Sequence, residues 1–241
     1  MRMRKKKNSG TRLAACEKYL YSHEGEVMSD PAAVMGMPGA PVYLEIGAGK
    51  GGFACGMCEK YPSVSYFAME RVTDCVVLAA EKARKISEET GALSNLKFIV
   101  DTADNLTKLF DEESIDGIFL NFSDPWSKKG YAKRRLTHRR YLAVYFNLLR
   151  DGGTLTFKTD NVGLFDFSLE EIEAMGLKCD VVTRDLHASE YMKDNVVTEY
   201  EANFSSQGVK INMLKVTKPA GFKPQISAEL CRDAVRIYNE K

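Results

Sequence analysis

"LEIGAGKGGF" (Leu44–Phe53) joins an apolar run to a segment of helical character through four closely spaced glycines. Gly47, Gly49 and Gly52 match the pattern G-x-G-x-x-G, in which glycines permit a tight strand-to-helix turn and a close approach of the backbone to a nucleotide. Glu70 ends the next apolar run, "VSYFAME", close to the ~20-residue offset expected of an acid that binds a ribose. A lone glycine pattern is a weak signal, but together with Glu70 it predicts a Rossmann-like nucleotide site.

On both sides of this turn the chain alternates between predicted strands and predicted helices. The strands are "VYLEIG", "VSYFAME", "LKFIV", "IDGIFLNF", "GGTLTFKTD" and "LKCDVVTRDL"; the helices include 73–89, 105–110, 161–175 and "HRRYLAVYFNLLR", with Thr137 as its candidate cap. Strands separated by helices indicate a parallel sheet with helices on both faces. The segment "EYEANFSSQGVKINMLKV" predicts two further strands around Gly208, an antiparallel hairpin that closes the sheet.

Composition and charge narrow the class of protein. The chain has 241 residues, of which 44% are hydrophobic and 28% charged, which is ordinary for a soluble globular protein with one sizeable core. The net charge of +1 means that an anionic partner must be met by local patches, such as the six cations of "MRMRKKKNSGTR". No secretory signal follows those cations, and no run approaches the ~18 apolar residues of a membrane span. We expect a cytoplasmic protein with no membrane partner.

The six cysteines are read as reduced thiols. Cys55 and Cys58 form a C-x-x-C, but no second pair completes a zinc site, and the pair falls inside a predicted helix instead of at a strand-to-helix junction. Buried small apolar residues are therefore the expected role of these two cysteines. The three histidines are far apart in sequence, so no metal is expected.

Glu45 distinguishes between two kinds of nucleotide cofactor. It ends the first predicted strand, where a carboxylate would repel a pyrophosphate bound at the following helix N-terminus. S-adenosylmethionine has no phosphate and carries an ammonium and a sulfonium, which an acid attracts. A nicotinamide-dependent oxidoreductase is therefore disfavoured, although cofactor titration would be needed to exclude it.

The stretch E-I-G-A-G-K-G resembles the first motif of Rossmann-like S-adenosylmethionine-dependent methyltransferases. That resemblance implies a seven-stranded α/β sheet, mostly parallel, with an antiparallel C-terminal hairpin. It also implies that Glu70 holds the ribose hydroxyls and that Asp101, or Asp104 as a second candidate, lies near the adenine. The remaining residues implied at the cofactor site are Glu45, Gly47, Gly49 and Gly51.

A second candidate site follows the fourth predicted strand, in "NFSDPWSKKGYAKRRL" (Asn121–Leu136). Such strand ends face the ligand crevice of an open parallel sheet, so Asp124 should face the methyl donor. Pro125 forces the chain out of the strand, and Trp126 and Tyr131 offer stacking faces. Stacking combined with positive charge is how proteins hold unstacked bases of RNA. The candidate phosphate contacts are Lys128, Lys129, Lys133, Arg134 and Arg135.

N-F-S-D-P-W-S-K-K, with K-R-R-L shortly after it, resembles the signature of the bacterial tRNA (guanine-N7)-methyltransferases. "MRMRKKK", "KTDN" and "TEYEANFSSQGVKI" resemble further segments of that family, so the similarity extends from the basic arm to about Lys218. It implies methylation of the variable-loop guanine at position 46 of tRNA by a monomer or homodimer. It also implies that Asp124 lines the cofactor site. The residues implied to meet the substrate are Lys128, Asp160, Thr198, Glu199, Tyr200 and Glu201.

The chain departs from this family in two places. Tyr131 stands where the family often has histidine, so it is given no role in proton transfer. The tail after Pro219 extends beyond the usual end, and Ser227 is a candidate N-cap for a helix there. We therefore expect a basic arm and connector over 1–41, a methyltransferase domain over 42–218, and a helical extension over 219–241 packed on that domain.

Guanine N7 has an in-plane lone pair and no proton, so its methylation requires alignment with the sulfonium methyl and no general base. The product purine is positively charged, and carboxylates beside it stabilise that developing charge. They also accept hydrogen bonds from guanine N1–H and N2–H. Asp124, Asp160 and Glu201 are the candidates, and Asp124 is the predicted catalytic residue.

Two alternatives stay open. A methyltransferase that acts on an exocyclic amine would also place an acid–proline pair at this strand, although Trp126 stands where those enzymes more often have a second proline. A non-catalytic RNA-binding protein with the same fold would bind tRNA and transfer nothing.

Overall fold

The computed structural model describes residues 8–22 and 25–224, and a single seven-stranded sheet organises them. The strand order is β3-β2-β1-β4-β5-β7-β6. All neighbours from β3 to β5 are parallel, and β7 is antiparallel to both β5 and β6. The strands are β1 (Val42–Ile46), β2 (Ser65–Met69), β3 (Leu96–Ile99), β4 (Ile115–Asn121), β5 (Leu149–Thr159), β6 (Val181–Thr183) and β7 (Asn212–Thr217). This arrangement confirms the predicted Rossmann-like α/β fold.

Helices cover both faces of the sheet, which explains why the central strands are apolar on both sides. All five residues of β2 are buried. The α-helices are α1 (Ser9–Ala14), α2 (Gly52–Lys60), α3 (Thr73–Thr90), α4 (Leu106–Leu109), α5 (Arg139–Leu148), α6 (Val162–Ala174) and α7 (Glu199–Ser205). One core packs α2 and α3 against the sheet through Phe53 and Ala80, and the other packs α5 and α6 through Phe146 and Phe165.

The five parallel strands all end at one edge of the sheet, and this edge gathers the predicted site residues. Gly47 directly follows β1, Glu70 directly follows β2, and Asp101 lies two residues beyond β3. Asp124 lies three residues beyond β4, and Asp160 directly follows β5. Residues that are up to 113 positions apart in sequence are therefore brought to one edge of the sheet, as expected of an open parallel sheet.

The hairpin predicted around Gly208 is wrong. The first half of that segment is the helix α7, and only Asn212–Thr217 forms a strand. Thr198 caps α7 by accepting a hydrogen bond from the N–H of Glu201 at 2.9 Å, and the carboxylate of Glu201 accepts one from the N–H of Thr198 at 3.4 Å. The antiparallel partner that β7 gains at the sheet edge is β6, which lies before α7 in the chain.

The cap predicted for the "HRRYLAVYFNLLR" helix is also wrong by one residue. His138 caps α5, because its Nδ1 accepts a hydrogen bond from the N–H of Arg140 at 3.2 Å. The Thr137 hydroxyl is instead buried and accepts a hydrogen bond from Ser168.

The described part of the N-terminal arm packs on the same body as the sheet. Arg12 of α1 forms a bidentate ion pair with Glu81 of α3, at 2.6 and 2.7 Å. Farther along, Tyr21 donates a backbone hydrogen bond to Phe98 of β3. The cations of residues 1–7 and the helix predicted from Ser227 lie outside the described residues. Within residues 8–22 and 25–224, no helix combines the length and apolarity that crossing a bilayer demands.

The C-x-x-C pair lies in α2 and is buried, which confirms its reading as small core residues. Cys55 and Cys58 are each 2% exposed. Burial raises the pKa of the Cys55 thiol to about 12, and it raises the pKa of Cys58 as well. Both thiols are therefore protonated at neutral pH and poorly suited to redox chemistry or metal binding.

Candidate active site

The turn after β1 is shaped by glycines that adopt backbone angles unfavourable to other residues. Gly47, Gly49 and Gly51 have φ values of 83°, 55° and 71°. A Cβ on Gly51 would lie 2.8 Å from that of Ala79, so this glycine allows α2 to pack against α3. A Cβ on Gly47 or Gly49 would meet nothing within 4 Å, which leaves an open space beside the turn for a bound group.

Glu70 is held between the glycine turn and the start of α3. Its Oε2 accepts a hydrogen bond from the N–H of Gly49 at 3.1 Å, and its Oε1 accepts one from the N–H of Val72 at 2.8 Å. The residue lines a cavity of about 520 Å³ at the carboxyl edge of the sheet. This position suits the ribose-binding role that the sequence predicts for it.

Glu45 lies deeper, and it is not among the residues that line this cavity. It is 2% exposed, and Oε1 accepts a hydrogen bond from Nδ2 of Asn121 at 2.9 Å. Burial raises its pKa to about 7, although the Asn121 hydrogen bond and the charge of Lys158 act in the opposite direction. Among the described residues, neither Oε2 of Glu45 nor Oδ1 of Asn121 has a hydrogen-bond donor. Two buried acceptors without donors fit the ammonium end of S-adenosylmethionine.

Asp101 and Asp104 both line the cavity, so the structure keeps both as candidates for the adenine end. Asp101 accepts hydrogen bonds from the N–H of Thr102 at 2.7 Å and from Asn105 at 2.8 Å. Oδ1 of Asp104 accepts a hydrogen bond from the Tyr141 hydroxyl at 3.0 Å.

Two residues at the start of α5 belong to this wall of the cavity and were missed by the sequence analysis. The Tyr141 hydroxyl binds Asp104, and the buried Arg140 guanidinium lies 3.5 Å from the same carboxylate. No local sequence pattern predicts these two contacts, because Arg140 and Tyr141 lie 36 and 37 positions from Asp104.

Asp124 is the most exposed of the site acids. Its side chain is 72% exposed, lines the cavity and lies 3.9 Å from the Arg71 guanidinium. The chain around it is sharply bent, since Phe122 and Trp126 have positive φ values of 51° and 42°. Such angles cost non-glycine residues about 1–3 kcal/mol and persist where the surrounding structure holds them.

The loop after Asp124 combines two aromatic rings in edge-to-face contact with a cation. The rings of Trp126 and Tyr131 meet edge to face with centroids 5.9 Å apart. The Arg134 guanidinium lies over both, 5.1 Å and 4.8 Å from their centroids. Trp126 and Arg134 also line the cavity, so this stack forms part of the rim that a substrate would meet.

Arg135, one of the candidate phosphate contacts, binds the loop itself in this structure. Its Nε donates to the carbonyl of Pro125 at 3.0 Å, its Nη2 donates to that of Trp126 at 3.2 Å, and its guanidinium lies 4.3 Å from the Phe167 ring centroid. Arg135 therefore holds the bent loop in place. The cations of this loop that are exposed to solvent are Lys128, Lys129 and Lys133.

The end of β5 and the first turn of α7 meet on the other side of the site. The Tyr200 hydroxyl lies 3.4 Å from Oδ2 of Asp160, and the Tyr200 ring packs 4.9 Å from that of Phe122. Glu199 forms an ion pair with Lys82 of α3. These contacts bring Asp160, Glu199 and Tyr200 close to the loop after β4, whereas the Thr198 side chain is used to cap α7.

Glu201 is not placed for direct contact with a base, contrary to the prediction. It is 0% exposed, and its carboxylate accepts hydrogen bonds from Lys158 at 2.7 Å and from Asn195 at 2.6 Å. His187 Nε2 lies 2.8 Å from the same carboxylate. Burial alone would raise the pKa of Glu201, but the Lys158 charge, supported by the hydrogen bonds, brings it below the usual value.

Comparison with known proteins agrees with this geometry. A family model described as "Putative methyltransferase" matches residues 39–214. A solved structure of an antibiotic-related methyltransferase shares the fold at a TM-score of 0.56 and 19% identity, covering 77% of this chain and 90% of that chain. A 16S rRNA (adenine(1408)-N(1))-methyltransferase from Catenulisporales acidiphilia shares it at 0.53 and 12%, covering 84% and 98%. The fold, the site and the family match define a Rossmann-like methyltransferase whose cofactor is S-adenosylmethionine.

Curated relatives narrow the class further. A tRNA (guanine-N(7)-)-methyltransferase from Mesoplasma florum is 39% identical over 221 residues, which cover 90% of this chain and 99% of the relative. One from Staphylococcus epidermidis is 42% identical over 171 residues, which cover 71% and 77%. The chain belongs to the bacterial tRNA (guanine-N7)-methyltransferase family, which confirms the resemblance noted in its sequence.

Proposed function

We propose that this enzyme transfers the methyl group of S-adenosylmethionine to N7 of the variable-loop guanine at position 46 of tRNA, giving 7-methylguanosine. The observation that carries the proposal is the position of Asp124. It is an exposed carboxylate on the wall of the cofactor cavity, and the neighbouring loop supplies two aromatic rings in edge-to-face contact and exposed lysines. The names of the relatives supply the acceptor atom and the kind of RNA.

The cofactor is held by groups in or just after four strands, β1 to β4. Glu70 accepts hydrogen bonds from the ribose hydroxyls, and Asp101 or Asp104 contacts the adenine. Glu45 and Asn121 supply acceptors for the ammonium group. S-adenosylmethionine, when bound, supplies an electrophilic methyl group on its sulfonium.

The acceptor side needs alignment and electrostatic stabilisation. Guanine N7 carries no proton, so no residue has to act as a base. Trp126 at the cavity rim offers a stacking surface for a base, and Asp124 stabilises the positive charge that develops on the purine. Placing the base against the methyl group is the main contribution that the protein makes to the rate.

The wider RNA contacts follow from charge and exposure. Lys128, Lys129 and Lys133 hold phosphates, with Arg134 over the Trp126 and Tyr131 rings. Asp160 approaches the guanine edge from the end of β5, and Glu199 and Tyr200 approach it from the first turn of α7. The buried Glu201 holds that turn in place. Phosphate contacts fix the register of the RNA, and the carboxylates recognise the base.

We also propose how the chain is organised and where the enzyme acts. Residues 42–218 form the catalytic domain, and residues 1–41 supply a basic arm and connector; the extension predicted over 219–241 lies mostly outside the described residues. The enzyme acts in the cytoplasm as a monomer or homodimer, on tRNA and without a metal.

Methyl-group tracing tests the proposed reaction. Unmodified tRNA and methyl-labelled S-adenosylmethionine are incubated with the protein, and the RNA is digested to nucleosides. We expect label in 7-methylguanosine, and we expect none when adenine replaces guanine at position 46. Label in N6-methyladenine would instead show an enzyme that acts on exocyclic amines, and tRNA binding without label would show a non-catalytic binding protein.

A further inference from the structure

Lys158 of β5 lies beneath the first turn of α7 with its ammonium buried. The residue is 2% exposed, and Nζ donates hydrogen bonds to Oε2 of Glu201 at 2.7 Å, to Oδ1 of Asn195 at 2.8 Å and to the carbonyl of Val196 at 3.0 Å. An ammonium has three protons, and these three acceptors satisfy all of them. All three acceptors belong to residues 195–201, so one side chain attaches this whole segment to the sheet.

The carboxylate of Glu201, the partner of Lys158, also makes several contacts. Glu201 binds Lys158 and Asn195 through its side chain, faces His187, and closes the capping box with Thr198. A buried ion pair of this kind is weak evidence for stability, because a well-packed apolar pair of similar volume is often as stable. Its geometry, however, fixes the rotation and depth of α7 relative to β5.

Functional side chains flank this ion pair on both elements. Asp160 lies two residues beyond Lys158, and its carboxylate meets the Tyr200 hydroxyl at 3.4 Å. Glu199 reaches the cofactor turn, since a Cβ on Gly52 would lie 3.5 Å from its Cγ. The Lys158 ammonium also lies 4.8 Å from the Phe53 ring of α2, directly after the glycine turn. The first turn of α7 is therefore seated between the end of β5 and the cofactor turn.

We propose that Lys158 is a positioning residue for methyl transfer, which sets the acceptor-side groups Asp160, Glu199 and Tyr200 against the cofactor turn through its ion pair with Glu201. The inference rests on the proposed function, because it assigns those three groups to the RNA substrate. Lys158 itself does not contact tRNA or the methyl group.

Lys218 offers a matched control for the test. It is also a buried lysine, 1% exposed, and its ammonium donates to the carbonyl of Leu149 at 2.7 Å and to Glu113 at 3.2 Å. It directly follows β7 and is not among the residues that line the cavity. Both Lys158→Met and Lys218→Met remove a buried ammonium and leave its acceptors behind, so both should lower the melting temperature.

The deciding measurement is kcat/KM for tRNA at saturating S-adenosylmethionine, normalised to folded protein. We expect Lys158→Met to lower it about 100-fold, since displacing a group by ~1 Å can have that effect. We expect Lys218→Met to stay within about threefold of wild type, as for a change remote from the chemistry. Equal values for the two variants would overturn the proposal and leave Lys158 with a role in stability alone.

Glu201→Gln keeps the test decisive where Lys158→Met fails to fold. Glutamine has nearly the same shape but removes the negative charge that orients the ammonium, so kcat/KM for tRNA should fall at least tenfold, about 1.4 kcal/mol. A wild-type value would contradict the positioning role. Wild-type enzyme that methylates no tRNA would instead refute the proposed function, so the two failures are distinguishable.

Discussion

The backbone N–H of Gly49 donates a hydrogen bond to Oε2 of Glu70, 3.1 Å away, which joins the cofactor turn to the end of the second strand. The N–H of Val72 binds the other oxygen of the same carboxylate at 2.8 Å. Each oxygen has a second lone pair, so the group remains able to accept hydrogen bonds from a ligand. The fold thus orients Glu70, the acid proposed to bind the ribose, before the cofactor arrives, and little ordering of this side chain is required on binding.

Glu70→Ala should weaken S-adenosylmethionine binding about 10- to 100-fold, because charge-assisted hydrogen bonds are worth ~1.5–3 kcal/mol. Titration calorimetry measures the change directly. Glu70→Gln is the matched variant, since it keeps the size and one acceptor oxygen and should lose less. Unchanged affinity in the alanine variant would remove Glu70 from the cofactor site.

Asp124→Asn should lower kcat about 10²–10³-fold with KM for tRNA little changed, because one electrostatic partner of the cationic purine is lost. Single-turnover methylation at saturating S-adenosylmethionine isolates this step. A rate near wild type under those conditions would assign Asp124 to cofactor positioning alone. The carboxylate is largely exposed, so the substitution should leave the melting temperature nearly unchanged.

Lys128→Ala combined with Lys129→Ala should weaken tRNA binding and flatten its salt dependence, by about 0.7 in the log–log slope for each lost contact to single-stranded RNA. A salt titration of wild type and double variant provides the slopes. The affinity for S-adenosylmethionine serves as the internal control and should be the same in the double variant as in wild type. Identical slopes would show that these lysines lie on a solvated surface without phosphate contacts.

Arg135→Lys should leave that slope unchanged, because the charge is kept and the guanidinium is already engaged with the carbonyls of Pro125 and Trp126. Lysine lacks the fork of donors that binds both carbonyls. The loop should therefore shift, and kcat/KM for tRNA should fall roughly tenfold as alignment is lost. A kcat/KM close to that of wild type would contradict this role of Arg135 in holding the loop.

Glu45 should make both stability and cofactor affinity depend on pH. Its pKa in the folded protein is about 7, against 4.5 for the ordinary group, so its neutral form is favoured by folding. That stabilisation is complete below pH 4.5 and is lost as the pH rises through 7. Glu45→Gln should therefore gain melting temperature relative to wild type between about pH 5 and about pH 8.

Cofactor binding through the ionised Glu45 follows the opposite trend. Affinity for S-adenosylmethionine should rise with pH and level off above about 7, where the carboxylate is already charged. Calorimetry across this range, in buffers of different ionisation enthalpy, would also detect the released proton. A flat affinity profile in wild type, matching that of Glu45→Gln, would contradict this role.

The cofactor half of the site was predictable because its residues follow strand ends. Gly47 and Glu70 come directly after a strand and Asp101 lies two residues beyond one, and the geometry of a parallel sheet then brings them together. Sequence also identified Asp124 and Trp126, since a proline at a strand end marks the point where the chain departs.

The residues on the acceptor side of the site were harder to predict, although the sequence contains one signal for them. Thr198 and Glu201 have the T-x-x-E spacing of a capping box, which predicts a helix start where a strand was expected. The burial of Glu201 was not predictable, because its partner Lys158 is 43 positions away. The contacts of Arg135 within the loop were not predictable for a similar reason, since composition reveals a charge but not the carbonyls that it binds.

The bent loop after the fourth strand also carries the chain's one tryptophan. Indole emission, excited at the red edge where tyrosine does not absorb, therefore originates entirely from Trp126. That ring lies under the Arg134 guanidinium and on the wall of the cofactor cavity. The protein thus contains a built-in optical reporter, whose intensity should change when either the donor or the RNA arrives, without any attached dye.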